Sequence, residues 1–317
     1  MASSTARFIS YDLRPAKQSE RRILVDVLKL GGDCGLPIDT YRYVGMGANR
    51  FYDFLLLHKY LGLSNMTSLE HDPAMFRRAA FNVPYRFIDV QPKNAAEFIA
   101  DDDGLPPSIY WLDYDGGISS EILADISSFS TKMKRGDFCF VTVAGEAAPF
   151  MEKLKGTERL SWFQDNLGEM AGDVTIEDME KSSFYKAIHK VLMAAFRNAF
   201  APRREGKFVP LLQVFYSDSM RMVTAGGAFV ADGTAVEYRD KVKRVMPFLN
   251  TTDNEIYPIR SLYLTERERS LFDRAVTSTK ERSAEMRMLK MLGFKESELT
   301  AYKDLVRYLP RYVETIV

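Results

Sequence analysis

The sequence predicts an α/β fold: a parallel sheet covered by helices on both faces and closed by an antiparallel hairpin. Three observations point there. Between residues 42 and 143, short apolar runs alternate with amphipathic helical stretches, the pattern of parallel strands joined by helical crossovers. The first run ends in paired glycines, Gly45 and Gly47, just before a helix. Late in the chain, Val209 to Tyr216 and Arg221 to Phe229 are two strand-like runs separated only by a short turn with Ser217 and Asp218, which reads as a hairpin at the end of the sheet.

Each element has its own warrant. After a polar start, Glu20 to Leu30 spaces Ile23, Leu24, Val27 and Leu28 on one helical face, and Gly31 and Gly32 are expected to stop that helix. Arg42 to Gly45 reads as the first strand and Phe51 to Leu61 as the helix behind it. Met66 to Glu70 is the second strand, followed by a helix over Pro73 to Asn82. Tyr85 to Val90 is the third, with a helix over Ala95 to Ala100. Ser108 to Asp113 is the fourth, with a helix from Ser119 to Lys134, and Asp137 to Val143 is a fifth, nearly continuous apolar run. From Glu146 to Lys207 the pattern is helical: Trp162, Phe163 and Leu167 form one stripe and Phe184, Ile188, Leu192 and Phe196 another, both read as core faces. Beyond the hairpin, the polar stretch from Thr251 and Pro258 mark a boundary before a charged helical tail. The organisation expected is a sheet domain over residues 1–250, with a helical insert at about 146–207, and a helical region over 251–317.

Composition narrows the class. The 317 residues carry 43 Lys and Arg against 43 Asp and Glu, with 46% hydrophobic and 27% charged residues. That describes a globular chain able to bury a full core and argues against disorder or a disulfide scaffold. A zero net charge removes a globally basic nucleic-acid binder but leaves local patches open. Residues 101–125 hold only acidic charge, whereas Arg203, Arg204 and Lys207 precede the hairpin and Arg239, Lys241, Lys243 and Arg244 follow it. Two isolated cysteines, Cys34 and Cys139, favour a reducing cytoplasm. Met1 to Arg14 has no long apolar run, which speaks against a secretory signal, and no apolar segment is long enough to cross a bilayer.

The chemistry concentrates at the strand ends. In Tyr43-Val44-Gly45-Met46-Gly47, glycines allow a sharp turn and close approach of a ligand, and the amides that open the next helix favour anionic groups. Glu70 follows at the distance at which an acidic residue accepts hydrogen bonds from ribose hydroxyls; the competing reading is a solvated loop carboxylate. Asp89, ending the third strand, either reaches the adenine edge or serves as a helix N-cap or turn aspartate. The loop runs Gly45-Met46-Gly47-Ala48-Asn49-Arg50 and lacks the third glycine of a dinucleotide fingerprint, so NAD and FAD fit less well.

This block resembles class I S-adenosylmethionine-dependent methyltransferases over roughly residues 20–232: a glycine-rich first turn (Val44-Gly45-Met46-Gly47), an acidic second strand end (Leu69-Glu70) and an acidic fourth strand end (Trp111-Leu112-Asp113-Tyr114-Asp115). Within that superfamily, Tyr-Val-Gly-Met-Gly and Trp-Leu-Asp-Tyr-Asp-Gly look like bacterial O-methyltransferases of unidentified substrate. The resemblance implies a Rossmann-like sheet of the class I type with S-adenosylmethionine as cofactor. It implies cofactor contacts from Gly45, Met46, Gly47, Asp53, Glu70, His71, Asp89 and Asp113. Asp113, Tyr114 and Asp115 are the candidate catalytic residues, orienting an acceptor or taking its proton. For Asp113 the alternative is a capping network, for Asp53 a solvated helix face and for His71 an exposed loop position.

Several subclasses are marked down. No Asn- or Asp-Pro-Pro-aromatic sequence follows the fourth strand, no Pro-Cys pair offers a cytosine nucleophile, and Val143-Ala144-Gly145-Glu146 lacks the Asp-Asn pair of metal-dependent catechol enzymes. His58, His71 and His189 show no ligand spacing, so no metal site is assigned. A small-molecule acceptor is favoured, with nucleic acid or protein left open; no membrane is expected, and a homodimer is left open. The helical insert is expected to shape the acceptor site. The alternatives are a catalytically silent S-adenosylmethionine-binding regulatory or assembly protein and, less favoured, a nucleotide-dependent oxidoreductase.

Overall fold

The computed structural model describes residues 14–252, 255–278 and 283–310. Helix α1 (Pro15–Asp33) comes first, with Pro15 at its opening turn, where a missing N–H costs nothing. Alternation then runs through β1 (Arg42–Gly45), α2 (Tyr52–Leu61), β2 (Asn65–Leu69), α3 (Pro73–Asn82), β3 (Ile88–Gln91), α4 (Ala95–Asp101), β4 (Ser108–Gly117), α5 (Ser120–Lys132) and β5 (Phe138–Ala144). Helices α6 (Gly156–Leu167) and α7 (Phe184–Phe200) precede the hairpin β6 (Lys207–Ser217) and β7 (Arg221–Val230). After it come α8 (Asp232–Val245), β8 (Tyr257–Ile259), α9 (Glu266–Thr277), α10 (Ala284–Met291) and α11 (Glu296–Leu305).

The strands form one eight-stranded sheet in the order β3-β2-β1-β4-β5-β7-β6-β8. Parallel pairing joins β3, β2, β1, β4 and β5. Strand β7 runs antiparallel to both β5 and β6. This is the predicted architecture, and it places a topological switch between β1 and β4, whose neighbouring crossovers leave in opposite directions. A crevice therefore opens beyond their carboxyl ends.

Two apolar cores sandwich the sheet. On one face α1, α2 and α8 pack through Ile23, Leu24, Leu28, Phe54 and Tyr238. On the other, α4 to α7 pack through Phe98, Ile126, Phe129, Phe163, Ile188 and Phe196. The stripes read from the insert are therefore core faces. Helices α9 to α11 gather around a small core of their own, Phe272, Ala275, Leu289 and Tyr302.

Several boundaries differ from expectation, each for a physical reason. Gly31 and Gly32 do not stop the first helix, which continues to Asp33. Gly31 instead lets α8 approach: a Cβ there would come 3.0 Å from the Tyr238 hydroxyl, which donates to the Val27 carbonyl at 2.6 Å. Strand β3 is shorter and later than expected, so Asp89 lies inside it rather than at its end. Pro258, read as a boundary, sits in β8, which pairs with β6 from outside. Proline is compatible with such an edge position because no further strand needs its N–H. Helix α8 was not anticipated. It carries the basic cluster that follows the hairpin, with Lys243 and Arg244 in its last turn, where they complement the helix dipole. Two parts of the expected helical tail, residues 279–282 and 311–317, lie outside the described residues.

Candidate functional site

A cavity of about 730 Å³ opens at the β1/β4 switch, within the range of small-molecule sites. Of the residues singled out in the sequence, Met46, Gly47, Asp53, Glu70, His71, Asp113, Tyr114 and Asp115 line it. Gly45 and Asp89 do not. Asp89 is exposed and accepts a hydrogen bond from Gln91 Nε2 at 2.7 Å. The wall on the β3 side is built instead by Lys93, Asn94 and Ala95 at the start of α4. None of residues 147–207 lines the cavity, so the helical insert does not form its walls.

The glycine loop is shaped from behind as much as from the cavity. A Cβ on Gly47 would fall 2.7 Å from Phe51 Cδ1 and 2.9 Å from Phe54, and one on Gly45 would strike the Tyr43 hydroxyl. Both glycines thus make room for buried aromatic rings, a reason additional to ligand approach. Ala48 and Phe51 adopt left-handed φ of 45° and 52°. Such angles cost non-glycine residues about 1–3 kcal/mol each, offset here by complete burial of the Phe51 ring against Phe54. The Gly47 N–H donates to Ser68 Oγ at 3.0 Å and ties the loop to β2.

Glu70 stands one residue beyond β2, half-buried. Its Oε1 accepts the Asp72 N–H at 3.0 Å, and Asp72 in turn caps α3 by accepting from the Ala74 and Met75 N–H groups at 2.9 and 2.8 Å. That chain fixes the carboxylate's orientation. Burial pushes the Glu70 carboxyl above the ordinary glutamate range. His71 is exposed at the cavity rim.

Helix α1 supplies groups that sequence reasoning missed. Lys17, 2% exposed, places Nζ 2.7 Å from Asp113 Oδ2 and 2.9 Å from Glu20 Oε2, over the Trp111 ring at 4.8 Å. Burial alone would lower the Lys17 pKa, but Asp113 and Glu20 outweigh it and hold the ammonium charged, its pKa well above the usual lysine range. Glu20 also accepts the Thr224 hydroxyl on β7. One turn along, Arg21 donates through Nε to Asp53 on α2, and both side chains are buried. Asp53 is therefore a buried ion-pair partner at the cavity wall, not a solvated helix residue. The missed signal was spacing: Lys17, Glu20 and Arg21 fall on the same stripe as Leu24 and Leu28.

The candidate catalytic trio divides. Asp113 is locked to Lys17. Tyr114 donates its hydroxyl to Asp125 Oδ2 at 2.6 Å, and burial followed by Asp125 pushes its pKa far above that of an ordinary phenol. Asp115 is exposed at the mouth. Among the described residues, no group of three or more His, Cys, Asp or Glu is placed to hold a metal ion, and no helix is long and apolar enough to cross a membrane.

Known structures offer distant likenesses. An O-methyltransferase from Bacillus cereus in complex with SAH is 13% identical, covering 71% of this chain and 86% of that one, with a TM-score of 0.41. A protein from Thermobifida fusca described as a "putative methyltransferase" is 14% identical over 67% of this chain and 81% of that one, at 0.38. The S-adenosylmethionine-dependent methyltransferase SibL is 11% identical over 66% of this chain, which spans about half (54%) of that one, at 0.36. No curated protein matches the chain. A family model described as "Putative O-methyltransferase" matches residues 9–317. The chain belongs to that family.

Proposed function

We propose that this enzyme methylates an oxygen nucleophile held at the mouth of the β1/β4 cavity. The observation that carries the reading is Glu70: a half-buried carboxylate on the cavity wall with Oε1 engaged by backbone and Oε2 left for a ligand's vicinal hydroxyls. The cavity fits the cofactor in charge as well. Seven carboxylates and three cationic side chains line it, a balance that suits a sulfonium and disfavours a polyanionic ligand.

S-adenosylmethionine supplies an electrophilic methyl group, so the protein's task is alignment and exclusion of water more than acid–base work. Glu70 would hold the ribose, and Asn94 and Ala95 would border the base. Asp113, fixed by Lys17, would present an oriented carboxylate. Tyr114 keeps its proton. Of the trio, Asp115 is the one placed at the mouth to orient the acceptor's hydroxyl and take its proton.

Four measurements test this. Isotope-labelled cofactor incubated with lysate should label an oxygen acceptor; tight cofactor binding with no transfer to any component would overturn the catalytic reading. Glu70→Ala should weaken SAH binding about 10- to 100-fold in calorimetry, the loss of a charged hydrogen bond of about 1.5–3 kcal/mol. SAH affinity of the wild type should also fall on acidification, beginning above the usual glutamate range, because Glu70 protonates early and a protonated carboxyl accepts fewer hydrogen bonds. Glu70→Gln should remove that acid limb, and an unchanged profile would take Glu70 out of the site. Asp115→Asn should lower kcat about 10²- to 10⁴-fold with little change in SAH affinity if it acts as the base; loss of SAH binding instead would assign it to the cofactor.

A further inference from the structure

Two polar side chains on the cavity wall carry buried atoms with no hydrogen-bond partner. Arg21, 5% exposed, spends Nε on Asp53, and its Nη1 has no hydrogen-bond partner. Asn49, in the glycine loop, has neither Nδ2 nor Oδ1 bonded, although both atoms are buried. Both residues line the same cavity, beside Asp53 and Asp113. An orphaned buried polar atom costs about 1–3 kcal/mol, so two such groups converging on one cavity call for a ligand that satisfies them.

Their chemistry is specific. A guanidinium with a free Nη is a carboxylate receptor. A carboxamide offers two donors to an anion and an acceptor to an ammonium. Asp53 and Asp113 add negative charge, each already tied to one protein cation. A group carrying a carboxylate and an ammonium on one carbon matches this set, whereas an uncharged or purely anionic group leaves part of it unpaired. Asn49 lies between Ala48 and Phe51, the two residues with left-handed φ, so the backbone cost of the loop goes into the turn that carries this carboxamide.

Resting on the cofactor reading above, we propose that Arg21 and Asn49 recognise the α-amino-acid end of S-adenosylmethionine, Arg21 through its carboxylate and Asn49 through both carboxylate and ammonium. Helix α1 then belongs to the cofactor site, brought there by the buried pairs Arg21–Asp53 and Lys17–Asp113.

The test compares SAH with 5′-methylthioadenosine, which keeps adenosine and sulfur but lacks the amino-acid end. Calorimetric titrations use the full chain, with Asn49→Ala and Arg21→Lys as variants. Arg21→Lys keeps a cation beside Asp53; Asn49→Ala removes no ion pair, so one variant remains if the other fails to fold. Each substitution is expected to weaken SAH about tenfold or more and leave methylthioadenosine affinity within about twofold, compressing the wild-type preference between the two. Equal weakening of both ligands, or an SAH affinity unchanged in both variants, overturns the proposal while leaving the cofactor reading standing. Wild-type protein that binds neither ligand overturns the cofactor reading itself.

Discussion

Replacing Lys17 by methionine should destabilise the protein by about 3–5 kcal/mol at neutral pH, the cost of leaving buried charges without their partner. Glu20 is fully buried and Asp113 is 21% exposed, and both rely on the same ammonium. Methionine preserves most of the volume, so the loss is electrostatic rather than a cavity. The pH dependence has a definite sign. Without Lys17, Glu20 keeps a pKa raised by burial, above its unfolded value of about 4.3. A carboxyl that prefers to be protonated in the folded state loses stability as pH rises. The gap between variant and wild type should therefore widen from pH 5 to pH 8 in urea unfolding. Lys17 itself contributes fully below the unfolded lysine value of about 10.4 and loses its contribution only as pH climbs through its raised folded pKa. Adding Glu20→Gln to Lys17→Met should recover part of the loss and flatten the pH dependence. An equal gap at both pH values would show that this cluster does not carry the charges assigned to it.

The consequence reaches the site because α1 bears Lys17 and Arg21 on consecutive turns. Its amino end is held by Asp218 in the hairpin turn, which accepts the Ala16 and Lys17 N–H groups at 3.1 and 3.0 Å. Its other flank binds the segment just after α11, where the Tyr308 carbonyl accepts from Arg22 Nη1 at 3.0 Å. Helix α1 thus joins the antiparallel hairpin to the cavity at the β1/β4 switch. Substitutions at Asp218 should weaken cofactor binding without touching the cavity.

How much of this was legible follows from where the information lies. Glu70, Asp113 and the Gly45–Gly47 turn were readable because each follows or closes a short apolar run, a pattern written in a few neighbouring residues. Lys17, Glu20 and Arg21 were not. A run of Lys-Gln-Ser-Glu-Arg-Arg reads as a solvated helix face, and its burial depends on Asp53, Asp113 and Thr224, which lie up to two hundred residues away. Asp89 was misplaced because its role was tied to a strand end that packing moves to Gln91. The proline of β8 and the glycines of α1 misled for one reason. Local propensity marks both as breaks, while an edge position and a close helix contact make them permissible.

The second large effect concerns the hairpin that completes the sheet. A Cβ on Gly227 would lie inside van der Waals contact with the Val209 carbonyl oxygen, 2.8 Å from that carbonyl carbon and 3.0 Å from Pro210 Cα. All three neighbours are backbone, so no side chain can swing aside. The crowding arises where β6 shifts register between Pro210 and Leu212 opposite Gly226 and Gly227, a bulge that drives its backbone toward β7. Gly227→Ala must therefore separate the strands or shift the bulge, and is expected to cost about 3 kcal/mol, the upper end for overpacking. Gly233→Ala is the control: nothing lies within 4 Å of its added Cβ in α8, so stability should change by less than about 0.5 kcal/mol, as for an ordinary surface substitution. Because β7 carries Thr224 against Glu20, strand displacement by Gly227→Ala should also loosen α1 and weaken SAH binding. A variant that unfolds early in urea yet binds SAH normally below its transition would show that the hairpin supports the sheet without positioning α1.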